Sequence, residues 1–246
     1  MDRFLRTELL LGKKALSLLR KSRVTIIGLG AVGSHCLESL TRAGTGNFNL
    51  ADFDVIKKSD LNRNMLALEE TVGKYKTEAA AARVLSINPS CGITLFNEMV
   101  DGSNIGKICS GSDAVVDAVD SLGPKTEILA YLATHRIPSV SSMGAALRKD
   151  PSAVRSGDIA QALFCPLAQR LRKRLRKNGV TSSGILCVYS EEKPAAASTA
   201  GQEEEYFKRG RQRQILGSVP TVPAAFGITL AAMVLEILLN PKGIKR

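Results

Sequence analysis

Residues 28–33 read Gly-Leu-Gly-Ala-Val-Gly. They follow the apolar run Val24-Thr25-Ile26-Ile27 and precede a stretch that puts Val32, Cys36, Leu37 and Leu40 on one helical stripe. A glycine-rich turn between a buried strand and a helix start narrows the fold sharply. Bare backbone N–H groups and the positive end of the helix dipole face the same point, so the turn receives an anion. Gly28, Gly30, Ala31 and Gly33 are therefore the candidate phosphate cradle.

The rest of the pattern fits that start. Strands are expected over 23–28, 47–52, 93–96, 113–116, 138–141 and 184–189. Helices are expected over 13–21, 32–43, 74–86, 125–134, 166–177 and 223–239, with a short one over 60–67. This alternation predicts an α/β fold: a Rossmann-like, doubly wound, mostly parallel sheet with helices on both faces. A C-terminal strand at the sheet edge (184–189) and a basic helix extend it. With 246 residues, 44% of them apolar, the chain reads as one domain. Residues 1–145 form its nucleotide-binding part and 146–246 its substrate-facing part, with a mobile loop over about 191–204. No apolar run is read as long enough to span a bilayer, and the N-terminus lacks a signal-peptide core, so a cytoplasmic protein with no membrane partner is expected. The five cysteines form no Cys-x-x-Cys pair, which argues against a structural zinc, and their odd number argues for reduced thiols.

Charged residues follow the glycine turn in an order that NAD-dependent dehydrogenases lack. Asp52 lies 19 residues beyond Gly33, at the end of the second strand, where an acid accepts ribose hydroxyls. Asp54 is either a second such acid or a loop cap. Asn62, Arg63 and Lys76 come next. Two cations beside a phosphate turn suit a triphosphate better than the less charged pyrophosphate of NAD, although spacing alone equally allows Lys74 and Lys76 on a solvated helix face. Asp117 and Asp120 follow the fourth strand; Asp120 is assigned to Mg²⁺, with Asp117 as a possible turn cap.

Positive charge concentrates further on. Six of the eight residues Arg170 to Lys177 are Arg or Lys, while Leu171 and Leu175 mark an anchored face. Arg170, Arg172, Lys173, Arg174, Arg176 and Lys177 are the candidate phosphate-backbone contacts, and Lys208, Arg209, Arg211 and Arg213 add a second cluster. The net charge of +11 agrees with a polyanionic partner. His35, His135, Cys165 and Cys187 are read as packing or capping residues.

Several of these segments together resemble the ThiF/MoeB/HesA superfamily, the adenylating enzymes related to ubiquitin activation. The matching text is Arg3-Phe4-Leu5-Arg6, Val24 to Gly33, Leu50 to Asp54, Leu61-Asn62-Arg63-Asn64, Val72 to Lys76, Ile87-Asn88-Pro89 and Asp117 to Ser121. The resemblance implies a ribose contact at Asp52, phosphate contacts at Arg63 and Lys76, Mg²⁺ at Asp120, and Arg6 acting across a homodimer interface. Gly157 to Ala160, Pro166 to Arg176, Val188 to Glu191 and the closing Gly217-Ser218 and Ala225-Phe226-Gly227 resemble the tRNA threonylcarbamoyladenosine dehydratases.

That resemblance implies ATP and Mg²⁺ as cofactors and tRNA as the partner. The implied reaction activates the carboxylate of threonylcarbamoyladenosine by adenylation and closes a ring with loss of water. Two other readings stay open: an adenylyltransferase for a ubiquitin-like sulfur carrier, with a sulfur-relay protein as partner, and a non-catalytic tRNA-binding protein on the same fold. Two departures stand out. Asp60 replaces the usual Asn, placing an acid near the phosphates unless Mg²⁺ or an Arg offsets it. Gln214-Ile215-Leu216-Gly217 lacks the Cys that the dehydratases can carry there, which excludes a thioester through that position.

Overall fold

The computed structural model describes residues 2–196 and 216–240, together with the backbone of 205–206 and 212–213. Its elements run α1 (Leu5–Leu11), α2 (Lys13–Lys21), β1 (Arg23–Ile27), α3 (Ala31–Ala43), β2 (Asn47–Ala51), α4 (Lys76–Ile87), β3 (Gly92–Phe96) and α5 (Ile105–Ile108). They continue with β4 (Ala114–Asp117), α6 (Leu122–Thr134), β5 (Ser139–Ser142), β6 (Val154–Asp158), α7 (Pro166–Lys177), β7 (Leu186–Ser190), β8 (Glu205–Tyr206), β9 (Gln212–Arg213) and α8 (Thr221–Leu239). The main sheet has seven strands in the order β3-β2-β1-β4-β5-β7-β6. All its pairs are parallel except β6 with β7. The order reverses beside β1, so a crevice opens between the turns after β1 and β4, where α/β sheets bind ligands.

Three sequence expectations are corrected. The strand near 184–189 is not at the edge; β7 lies between β5 and β6. The edge is β6, whose Val-Arg-Ser-Gly-Asp text is half exposed and carries no apolar run to mark it. Residues 60–67 form no helix: a single 3₁₀ turn at Lys58–Asp60 leads into further turns. And α8, 19 residues long with a mean hydropathy of 2.1 over an 18-residue window, is long and apolar enough to cross a membrane by length and composition. In the fold it is half buried. Val222, Phe226, Leu230 and Val234 sit in the core, and Gly227 lets its backbone meet Val32 and Cys36 of α3, where a Cβ would come within 2.9 Å of the Cys36 amide nitrogen. Part of the expected 191–204 loop, Lys208, Arg209 and Arg211 of the second basic cluster, and Gln214-Ile215 lie outside the described residues.

The sheet buries both faces, as parallel sheets do. One core joins Val24, Ile26, Phe48 and Leu50 to Cys36, Leu37 and Leu40 of α3, Ala80 and Val84 of α4, and α8. The other joins Ile27 and Val115 to Ile105, Ile128, Leu129, Leu171 and Leu175 from α5, α6 and α7.

Two ionic contacts are built into this frame. Glu38 of α3 accepts from Arg42 Nε at 2.7 Å and from Arg83 Nε and Nη2 of α4 at 2.9 and 2.8 Å. Burial raises its pKa, but the hydrogen bonds from Arg83 and Arg42 outweigh that and hold it below the usual glutamate value. On the other side, Asp117 and Lys125 are both fully buried and paired at 2.7 Å; Asp117 also accepts from Ser141 Oγ at 2.8 Å, and Lys125 Nζ donates to the Val119 carbonyl at 2.8 Å.

Each contact makes a prediction. A group whose folded pKa is depressed stabilises above its unfolded pKa, and the contribution is lost as pH falls. Glu38→Gln is expected to cost about 1–2 kcal/mol at neutral pH; the gap to wild type closes as thermal melts are moved to below the ordinary glutamate range. Lys125→Met leaves a buried carboxylate unpaired, so a loss of about 3–5 kcal/mol is expected in denaturant unfolding. Adding Asp117→Leu should recover much of that loss, and a double variant no better than Lys125→Met would refute the pairing as its cause.

Candidate active site

The turn after β1 is shaped by what glycine leaves out. Gly28 has φ +91°, and a Cβ there would stand 2.9 Å from the Ala118 carbonyl in the loop after β4. A Cβ on Gly33 would strike the Gly28 carbonyl oxygen. Gly30 is different: it precedes α3 as its N-cap, and a Cβ there would meet no protein atom within 4 Å. Packing therefore explains Gly28 and Gly33 but not Gly30, which leaves open space over the turn. Ala31, Val32 and Gly33 form the first turn of α3, whose N–H groups lack intrahelical partners.

Side chains from β2 and the following segment clamp the turn from both sides. Asp52 Oδ2 accepts from Leu29 N at 2.7 Å and Oδ1 from Asp54 N at 2.9 Å. Asn64 Nδ2 donates to the Leu29 carbonyl at 3.0 Å, and Ser34 Oγ accepts from Met65 N at 3.2 Å. Lys76, the first residue of α4, pairs with Asp54 at 3.0 Å. Burial raises the pKa of Asp52 against the opposing pull of Lys76. Burial also works against the charge on Lys76, but Asp52, Asp54 and Asp60 outweigh it and its pKa lies above the usual lysine value. The solvated-face reading of Lys76 is thereby set aside.

Asp60 does not stand unopposed. Its carboxylate accepts from Lys57 N at 3.1 Å and pairs with Arg63 Nη2 at 3.2 Å. The Arg63 guanidinium also donates to Asn62 Oδ1 at 3.0 Å and to the Ser59 carbonyl. Asn62 Nδ2 in turn donates to the Ser218 carbonyl at 3.0 Å, bringing the start of the C-terminal helix region to this loop.

Asp117 caps the turn after β4, its Oδ1 accepting from Val119 N at 3.1 Å. Asp117 is buried beneath the loop, whereas Asp120 is exposed at its far end. The Asp117–Lys125–Val119 contacts fix the loop that carries Asp120, and Ala118 abuts Gly28. Asn64 and Lys125 were not singled out as site residues in the sequence. The signal for Lys125 was a lone lysine at a position where an amphipathic helix faces its core. Arg6 does not join the site within one chain. It lies on α1, two residues beyond Phe4, which packs against Gly44 at the opposite end of the strands.

The basic helix has an anchored and an open face. Leu171 and Leu175 are fully buried; Arg170, Lys173, Arg174, Arg176 and Lys177 are exposed. Arg172 is a correction: it turns inward and donates to the carbonyls of Ile159 at 2.7 Å and Ala162 at 3.3 Å, so it secures the helix. All five cysteines are buried free thiols, and burial pushes those of Cys91, Cys109 and Cys187 up to about 11, 12 and 12. Cys165 caps α7, its sulfur accepting from Ala168 N at 3.5 Å. His135 stacks on Tyr131 at the end of α6, and burial lowers the pKa of His35 against the backbone of Arg63. No group of three metal-ligating side chains occurs among the described residues.

Comparison with known proteins agrees with this geometry. The ThiF family model matches residues 2–245. The tRNA threonylcarbamoyladenosine dehydratase of Escherichia coli (strain K12) is 37% identical over 198 residues, covering 78% of this chain and 74% of that protein. The protein of the same description from Bacillus subtilis (strain 168) is 31% identical over 252 residues, covering 100% and 98%. The crystal structure of the E. coli dehydratase in complex with AMP superposes with a TM-score of 0.87 at 32% identity, over 97% of this chain and 94% of that one. Its complex with ATP gives 0.86 at 30% identity, over 99% and 96%. With the family model matching nearly the whole chain, the chain belongs to the ThiF family.

Proposed function

We propose that this protein is an ATP-dependent dehydratase acting on threonylcarbamoyladenosine in tRNA. The observation that carries the reading is the convergence, at one crevice, of the Gly28–Gly33 turn with Asp52, Lys76 and the Asp120 loop, on a chain that also presents a cationic helix. The relatives named as tRNA threonylcarbamoyladenosine dehydratases supply the substrate.

The residues fit an adenylating site. The turn and the first N–H groups of α3 would receive phosphate, and Asp52 the ribose. Lys76 and Arg63 would neutralise the charge that grows on phosphate oxygens during transfer. A Mg²⁺ ion would sit on Asp120 and the phosphates themselves, as this ion is commonly held by one or two carboxylates plus substrate. When bound, ATP supplies an activating group for the carboxylate of the threonylcarbamoyl side chain. That carboxylate oxygen attacks the α-phosphorus and pyrophosphate leaves; a nucleophile of the same side chain then attacks the acyl carbon, closing a ring and releasing AMP. The water lost from the nucleoside is accounted for by ATP cleavage to AMP and pyrophosphate. With every cysteine buried, positioning and charge neutralisation carry the reaction, and no covalent enzyme intermediate is required. Residues 1–145 hold the nucleotide; 146–246 face the RNA through Arg170, Lys173, Arg174, Arg176 and Lys177. In a homodimer, Arg6 of one copy serves the site of the other.

The charge on α7 separates this reading from activation of a sulfur-carrier protein, whose extended tail has no use for a cationic helix. The test is to incubate protein, ATP, Mg²⁺ and tRNA bearing threonylcarbamoyladenosine, digest the tRNA and weigh its nucleosides. Loss of one water only with ATP is expected; an unchanged mass overturns the substrate assignment. Asp120→Ala should abolish turnover while leaving RNA affinity intact, and unchanged turnover would refute its metal role. Gly30→Ala should weaken ATP binding by about tenfold or more, with little change in thermal midpoint, because the added Cβ meets no protein atom within 4 Å.

A further inference from the structure

The chain returns to the crevice edge in a way the nucleotide site does not use. Strand β6 starts at that edge, with Val154 opposite Ser190, and ends at the far edge, with Asp158 opposite Leu186. The following residues climb back. Cys165 Sγ accepts from Gly144 N at 3.4 Å, just past the end of β5, and the Phe164 carbonyl accepts from Arg148 Nη2 at 3.2 Å. Arg148 is buried and donates also to the carbonyls of Glu192 at 3.1 Å, Ala146 at 3.2 Å and Gly144. It therefore ties three segments together at the crevice edge: the loop after β5, the entry to α7 and the segment after β7.

At this rigid junction an aromatic ring faces water. Phe164 is 43% exposed, and Lys193 Nζ lies 5.4 Å from its ring centroid. The other exposed aromatics among the described residues, Phe53 and Tyr75, flank Asp52 and Lys76 on the nucleotide side. Phe164 instead lies two residues before α7, with its carbonyl held by Arg148. An exposed aromatic ring with an ammonium over it, on a carbonyl-anchored backbone, offers what an unpaired nucleotide needs: a π surface for the base and, once the long lysine side chain swings aside, a cation for its phosphate.

We propose that Phe164 and Lys193 form a stacking platform for an unpaired nucleobase of the RNA loop that carries the substrate. The platform rests on the tRNA reading above. Its function is to orient the loop so that the modified side chain enters the crevice while α7 holds the backbone.

The probe is a stem-loop RNA carrying threonylcarbamoyladenosine in its loop, measured for binding and for water loss. Phe164→Ala is expected to weaken binding and raise KM by about 5- to 150-fold, the range for removing one stacked base. ATP affinity and thermal midpoint should stay unchanged. Phe164→Trp should restore binding. Because stacking releases no counterions, the slope of log affinity against log salt should be the same for Phe164→Ala and wild type, whereas Lys173→Gln should lower it by about one. Binding of Phe164→Ala within about twofold of wild type, failure of Trp to rescue, or a changed salt slope overturns the platform. Phe164-dependent binding without any water loss supports the platform and overturns the dehydratase reading; water loss with Phe164→Ala at wild-type KM overturns the platform alone.

Discussion

The structure depends on one close approach, that of the turn after β1 to the loop after β4. Gly28 lies against the Ala118 carbonyl, and Gly33 against Gly28 itself. Neither contact leaves room for a Cβ. Because both loops grow from strands buried on both faces, this contact fixes the walls of the crevice relative to each other before any ligand arrives. Everything chemical is then attached to one wall or the other: Asp52, Asn64 and Lys76 to the first, and Asp120 with its Asp117–Lys125 support to the second.

Much of this was legible in the sequence, for physical reasons that differ by element. The central strands read clearly because burial on both faces demands continuous apolar text such as Val24 to Ile27. The glycine turn read clearly because its spacing is a backbone requirement. Strand β6 did not, since an edge strand needs no buried face and Arg155 and Ser156 look like loop. The 60–67 segment resembled a helix locally but is drawn into turns by Asn64 and Ser34, contacts that join residues some thirty positions apart. Lys76 could be placed only once Asp52, Asp54 and Asp60 were seen around it. Arg172 shows the converse limit: six cations in a run look alike until the fold turns one of them inward.

The same helix shows how anchoring and recognition share residues. Its apolar stripe is narrow, and Arg172 on its carbonyls widens the grip without adding apolar surface. That leaves the remaining cations unengaged by the packing and directed outward, where a phosphate backbone can reach them.

The pairing of Arg63 with Asp60 gives the crevice a built-in competitor. An arginine held at 3.2 Å by its own chain's carboxylate is not an open anion site. A singly charged anion gains little by displacing that carboxylate, because it exchanges one ion pair for another and loses its own hydration. A triphosphate that engaged the helix N-terminus and Lys76 at the same time would draw on several contacts to outweigh the one it breaks. The Arg63–Asp60 pair thus sets a threshold. On the nucleotide reading proposed above, an abundant small anion would meet an internal rival at Arg63, and only a ligand charged enough to hold on elsewhere would release it.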